Sequence, residues 1–261
     1  AIGMPLWAIR EGAVFPIHNT NTVTIGPSGG HAATTWVHTT LTTASAATDT
    51  TLIVDSITGI SASDVIGIEL DNGNIDWTTV NGAPSGSTVT ITTGVTTAAG
   101  VGNHVYTYTS KSVRPLKVIQ ANRYDYTDDT ETPINIVSRD EFVRLNNKTE
   151  EGPPHTIYYN PLLDRGVLNL YPRFSNGDSI IKIWFQRPFE DMDGATDNLD
   201  FPQEWENFIV WELSATLGTE HTIPARRLTM IMQKAEVERV RVGEFGQEEG
   251  SVYFTPEQRG R

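Results

Sequence analysis

Residues 11–110 contain no Lys or Arg, and no other feature of the sequence constrains the fold as strongly. From Lys111 onward basic residues return, interleaved with many acids, so the chain breaks in composition into two modules. The module holding most of the basic-free run begins near Trp36–Leu41 and extends to Ser112, rich in Thr, Ser, Ala and Gly, with Lys111 its one basic residue. Short β-prone runs start within it at Thr51, Val65, Ile75, Ser87 and His104. Alternation puts Ile66, Ile68 and Leu70 on one face and Val65 and Glu69 on the other, as a half-buried strand requires. Asn72-Gly73 offers the positive φ angles of a tight turn. Several strands at this spacing predict a small β-sandwich or barrel, and the aliphatic alternation favours that over a disordered Thr-rich linker.

The second module changes period several times. Ser138 followed three residues later by Glu141 is a capping box, placing Phe142 and Leu145 on one face of a short helix. Gly152-Pro153-Pro154 cannot continue it, because Gly is costly in a helix and Pro lacks an N–H and biases its predecessor toward extended geometry. A hairpin comes next, turning at residues 163–166, and a third strand through Ile181, Ile183 and Phe185 extends it into an antiparallel meander. Asp200 and Gln203 begin a helix whose apolar face carries Trp205, Phe208, Ile209, Leu213 and Thr216. Pro224 suits the first turn of a second helix bearing Leu228, Ile231, Ala235 and Val242. The expected class is α+β: an antiparallel β meander with a C-terminal helical hairpin, plus an inserted all-β domain. The expected divisions are a core of residues 1–37 and 113–243, an insertion of 38–112 and an extended tail of 244–261.

Composition narrows the function classes. The chain has no cysteine, which removes disulfides, thiolate metal sites and cysteine nucleophiles. A net charge of -13 argues against gripping nucleic acid by its phosphates. No apolar run approaches the roughly 20 residues that span a bilayer, so no membrane partner is expected. The start AIGMPLWAIREG lacks the basic flank and apolar core of a signal peptide, and with Ala at position 1 an upstream segment is expected to have been removed.

Candidate chemistry is sparse. Gly26-Pro27-Ser28-Gly29-Gly30 matches the Gly-x-Ser-x-Gly pattern, but the run from His31 to His38 is strand-like rather than helical, so Ser28 reads as part of a surface turn. The histidines at 18, 31, 38, 104, 155 and 221 show no zinc-helix spacing and read as turn or surface residues. Asp191, Asp193 and Asp197 have the chemistry to ligate calcium, but acids ahead of a helix are explained by its dipole, with Asp200 as cap. Residues 71–76 also look calcium-like, and a hairpin turn explains them. No catalytic, cofactor or metal residue is therefore assigned, and no enzyme activity is expected.

The order of elements carries a resemblance. Met4-Pro5-Leu6-Trp7 with Thr22–Gly26, Ser138–Leu145 followed by Gly152–Tyr159, Leu168–Phe174, and Asp200–Phe208 leading into two helices resemble the head-to-tail adaptor proteins, or tail accessory factors, of short-tailed bacteriophages. The likeness covers roughly residues 1–37 and 113–255, with the β-rich block inserted between them. It implies a virion protein of the tail and neck, assembled in the host cytoplasm as a homo-oligomeric ring of about twelve copies. Such a ring sits beneath the portal protein, supports the tail nozzle or fibre proteins and lets genomic DNA pass without specific binding. It further implies that Phe245, Tyr253 and Phe254 of the C-terminal extension anchor on the portal. On this reading Arg139, Arg144, Arg226, Arg227, Lys234, Arg239 and Arg241 face acids across subunit boundaries. Two alternatives stand beside it: a tail protein that degrades cell wall, and a glycan- or fibre-binding module using Trp77, Tyr106 and Tyr108 of the insertion.

Overall fold

The computed structural model describes residues 8–15, 17–175, 177–189, 200–221 and 223–244. Phe245, Tyr253, Phe254, Asp191, Asp193 and Asp197 lie outside the described residues. Two compact units divide the chain, residues 10–188 in one and residues 1–9 with 189–261 in the other.

The first unit is built from strands. In chain order they are β1 (Ile9–Val14), β2 (Thr22–Ile25), β3 (Ala32–Ala33), β4 (Val37–Thr40), β5 (Thr51–Ile53), β6 (Val65–Glu69), β7 (Ile75–Thr79) and β8 (Thr88–Thr90). After β9 (His104–Tyr108) come β10 (Lys117–Asp125), β11 (Thr130–Pro133), β12 (Asn135–Ile136), β13 (Thr156–Pro161), β14 (Gly166–Tyr171) and β15 (Ser179–Gln186). The short helix α1 (Arg139–Val143) separates β12 from β13.

These strands form one sheet in the order β11-β10-β15-β1-β3, a second β12-β13-β14-β2, a third β4-β9-β6-β7, and the pair β5-β8. β12 runs parallel to β13, whereas β1 with β3, β10 with β11 and β15, β14 with β13 and β2, β9 with β4 and β6, β6 with β7, and β5 with β8 are antiparallel. All five expected runs of the basic-free block are strands. The β13–β14 hairpin also forms, closed by the Leu162 N–H donating to the Arg165 carbonyl at 3.0 Å. The third strand, β15, does not continue that meander but pairs with β10 in the neighbouring sheet, through a register from Lys117↔Gln186 to Asp125↔Ser179.

Alternation explains the layering. Ile181, Ile183 and Phe185 of β15 point into a core with Val23, Ile157 and Leu168 of the second sheet. Ile180 faces the other way, joining Ala13, Phe15 and Ala33 against Tyr106 and Tyr108 of β9. The third sheet has two faces in turn: Ile66, Ile68 and Leu70 meet Leu52 and Val89 of β5 and β8, while Val65, Ile75 and Trp77 turn toward Phe15. The first and third sheets therefore each pack on both faces, with β11 left exposed at the edge of the first. Residues 38–112 have a core of their own and share a second one with the first sheet and with Phe15 just beyond β1.

Turn chemistry is local. Gly73 takes φ 80°, while Asn72 stays at negative φ and caps the turn by accepting from the Asn74 N–H at 3.0 Å. Ser138 and Glu141 make both arms of the capping box, and Phe142 of α1 is buried.

In the other unit, a 3-10 turn (Gln203–Trp205) leads into α2 (Glu206–Glu220), and α3 (Ala225–Glu244) packs back on it as a helical hairpin. The fold class is α+β, with antiparallel sheets followed by the C-terminal helix pair. Pro202, not Asp200, occupies the cap position of the 3-10 turn and offers no side-chain acceptor.

Candidate functional site

The helical hairpin is where apolar surface is left uncovered. α3 places Leu228, Ile231, Ala235, Glu238 and Val242 at successive spacings of 3, 4, 3 and 4 residues, which keeps them on one face. Ala235, Glu238 and Val242 are buried and Leu228 and Ile231 half-buried. Glu238, a carboxylate in an apolar row, is held by Lys234 at 2.9 Å and Arg241 at 3.7 Å. On α2 the facing row runs through Phe208, Trp211, Ala215 and Gly218. Gly218 is buried, and a Cβ there would lie 2.9 Å from Leu228 Cδ1, so the chain passes close to α3 at a residue without a side chain. Glu212 accepts from Arg239 across the pair at 3.1 Å.

The faces turned away from this seam are also apolar. On α2, Val210, Leu213 and Leu217 are 54, 56 and 43% exposed. On α3, Met230, Val237 and Val240 are 65, 58 and 56% exposed. A helix apolar all round is ordinarily buried all round, so α2 carries the signature of a helix meant to be covered on both sides. The expected single face through Trp205, Phe208, Ile209, Leu213 and Thr216 is thus divided. Trp205, Phe208 and Ile209 are half-buried, while Leu213 and Thr216 are exposed. Assigning each helix one apolar face misses these outer rows. Their signal in the sequence is the second row of apolar residues at heptad spacing in α3.

The seven basic residues expected at subunit boundaries are dispersed. Lys234, Arg239 and Arg241 pair within the chain, with Glu238, Glu212 and Glu236. Arg226 and Arg227 are exposed at the start of α3 and hold no ion pair among the described residues. Arg139 lines a groove of ≈ 390 Å³ with Phe142, Lys148 and Tyr158, and Arg144 ends α1 as its C-cap.

The histidines depart most from expectation. His31 and His38 are half-buried and His104 is buried, where β9 meets the first sheet and Phe15. His31 stacks on Trp77 with ring centroids 3.8 Å apart and planes within 4°, its Nδ1 2.7 Å from the Tyr108 hydroxyl. His38 stacks on Tyr126 at 3.6 Å, its Nε2 2.9 Å from His104 Nδ1. Burial pushes the pKa of both His31 and His38 down to about 4, helped by the charge of Lys111 at the first and by His104 at the second. Tyr106 is fully buried and donates its hydroxyl to the Gly177 carbonyl at 2.7 Å, and burial raises its pKa well above the ordinary tyrosine value. Trp77, Tyr106 and Tyr108 therefore pack the interior instead of presenting a glycan platform.

Other candidate sites resolve into structure. Ser28 is exposed in a turn closed by the Gly29 N–H donating to the Gly26 carbonyl, and the next element is β3 rather than a helix. Within residues 71–76, Asp71 accepts from the Gly100 N–H and the Asn103 amide, and Asp76 accepts from the backbone and hydroxyl of Thr96. Both carboxylates thus brace loops. Among the described residues no group of three or more His, Asp or Glu is placed to hold a metal ion. No helix is long and apolar enough to cross a membrane, again among the described residues. Neither known family models nor curated proteins give a match to this chain.

Proposed function

We propose that this chain is a structural virion protein, the head-to-tail adaptor of a short-tailed bacteriophage. It forms a ring that joins the portal to the tail and extends the DNA-exit channel. One observation carries the reading: a two-helix hairpin exposing an apolar row on each outer flank, at Val210, Leu213 and Leu217 and at Met230, Val237 and Val240. Scattered exposed apolar residues are normal on a monomer, whereas ordered rows on opposite sides of one element are what repeated neighbours would cover. The order of sequence motifs from Met4 to Phe208 supports the same family reading. The net charge of -13 fits a channel wall that repels phosphates and lets DNA slide.

On this reading residues 38–112 decorate the ring. Phe245, Tyr253 and Phe254 remain the proposed portal anchors, and the tail nozzle or fibre proteins are the partners on the far side. Electron microscopy of the purified chain, alone and mixed with the portal protein, tests it. Rings coaxial with the portal are expected. Particles that never associate with the portal would rule the assignment out.

A further inference from the structure

Each outer flank of the hairpin is longer than its apolar centre, and the two flanks share one spacing. On α2, Glu206, Val210, Leu213, Leu217 and Glu220 succeed one another at intervals of 4, 3, 4 and 3 residues. On α3, Arg226, Met230, Gln233, Val237 and Val240 keep the same intervals. Each row runs through 15 residues, about 21 Å from first to last at 1.5 Å per step. At about 100° per residue each row lies opposite the seam that joins α2 to α3. All ten side chains are exposed.

The rows match in length and spacing but differ in charge: α2 has an acid at each end, whereas α3 has Arg226 at its start and Arg241 beside its end. Two different, complementary surfaces on opposite sides of one subunit are what a head-to-tail contact needs, while a two-fold contact needs one self-complementary surface.

Resting on the ring reading, we infer that the α2 flank of one copy docks on the α3 flank of the next, with the helices antiparallel. Hairpins repeated around a ring all point the same way, so each α2 meets a neighbouring α3 running in the opposite direction. That sets Arg226 beside Glu220 of the next copy and Arg241 beside Glu206. Lys234, Arg239 and Arg241 already serve acids within the chain, and of Arg226 and Arg227 only Arg226 lies on the outer row, so it is Arg226 that reads the neighbour. Two helices touching over about 21 Å fall short of the surface a stable pair usually buries, so one contact is weak and closure of the ring reinforces it.

The test uses two full-length variants at exposed positions, Leu213→Asp and Val237→Asp, with helix content checked by circular dichroism. Sedimentation velocity is run at high protein concentration. The wild-type chain is expected to form species larger than a dimer. Each variant alone is expected to lose everything above monomer. Mixed in equal amounts they should give a heterodimer and nothing larger, because one intact α2 flank then meets one intact α3 flank.

The direction is read separately. Arg226→Glu should lose assembly, and adding Glu220→Arg should restore it. Restoration by Glu206→Arg instead would overturn the antiparallel pairing. Homodimers of either variant, or unchanged assembly of both, would overturn the docking while leaving the ring standing. A wild-type chain that stays monomeric both free and with the portal would sink the ring reading and this one together.

Discussion

Gly67 and Trp77 offer the sharpest test of how the basic-free block is held to the rest of its unit. They are directly paired across β6 and β7, and a Cβ built on Gly67 would lie 2.7 Å from the indole Cη2 and Cζ3. Gly67→Ala therefore forces the ring outward by about 1 Å to reach ordinary contact. Moving the ring disturbs its own packing, since it stacks on His31 at 3.8 Å and lies 5.4 Å from Phe15. Overpacking costs about 1–3 kcal/mol, and loosening the stack adds roughly 0.5–1.5 kcal/mol. The expected loss is about 2–4 kcal/mol, a large part of a typical folding free energy. Urea denaturation followed by tryptophan emission reads it as a fall in midpoint at unchanged slope.

The decisive control repeats Gly67→Ala in a Trp77→Ala background. There the added methyl meets no ring, and the change should be neutral or favourable by roughly 0.5–1 kcal/mol, because Ala suits a strand interior better than Gly. An equal cost in both backgrounds would refute the reasoning.

The same contacts set three further outcomes. His31 and His38 are kept neutral in the folded state with pKa values of about 4, against about 6.5 in the unfolded chain, so the unfolded state binds more protons between those values. Stability is then full above pH 6.5 and falls as the pH drops toward 4, by roughly 2 kcal/mol per histidine after discounting for partial exposure; a flat profile over that window would contradict it. Gly218→Ala should change hairpin stability by less than about 1 kcal/mol, because helix propensity offsets a contact that the flexible end of Leu228 can relieve, whereas Gly218→Phe should cost about 1–3 kcal/mol, both read by hydrogen exchange in α2. Ser138→Ala removes the hydroxyl arm of the capping box and should weaken protection of the α1 amides by about 1 kcal/mol.

Local features are the legible ones. Ser138 and Glu141 can be read as a cap because both partners lie within one turn. Ile66, Ile68 and Leu70 can be assigned one face because a strand alternates whatever its partner. Partner choice is not encoded in this way: nothing in the alternation of Ile181, Ile183 and Phe185 says that β15 leaves the hairpin for β10. The histidines escape for a related reason. His31, His38 and His104 are polar in type and their partners are remote in sequence, so only the stacking of two sheets shows that each has an aromatic or imidazole partner. The candidate site is half legible, since the helices and their inner rows emerge from periodicity. Val210, Leu217, Met230, Val237 and Val240 stand out only once the inner seam is known.

Counting copies in intact particles tests the central claim most directly. Quantitative mass spectrometry of purified virions, with the portal protein as internal standard, is expected to return this chain at about one copy per portal subunit, as a ring coaxial with the portal requires. A single copy per particle, or its absence from mature virions, would contradict the ring.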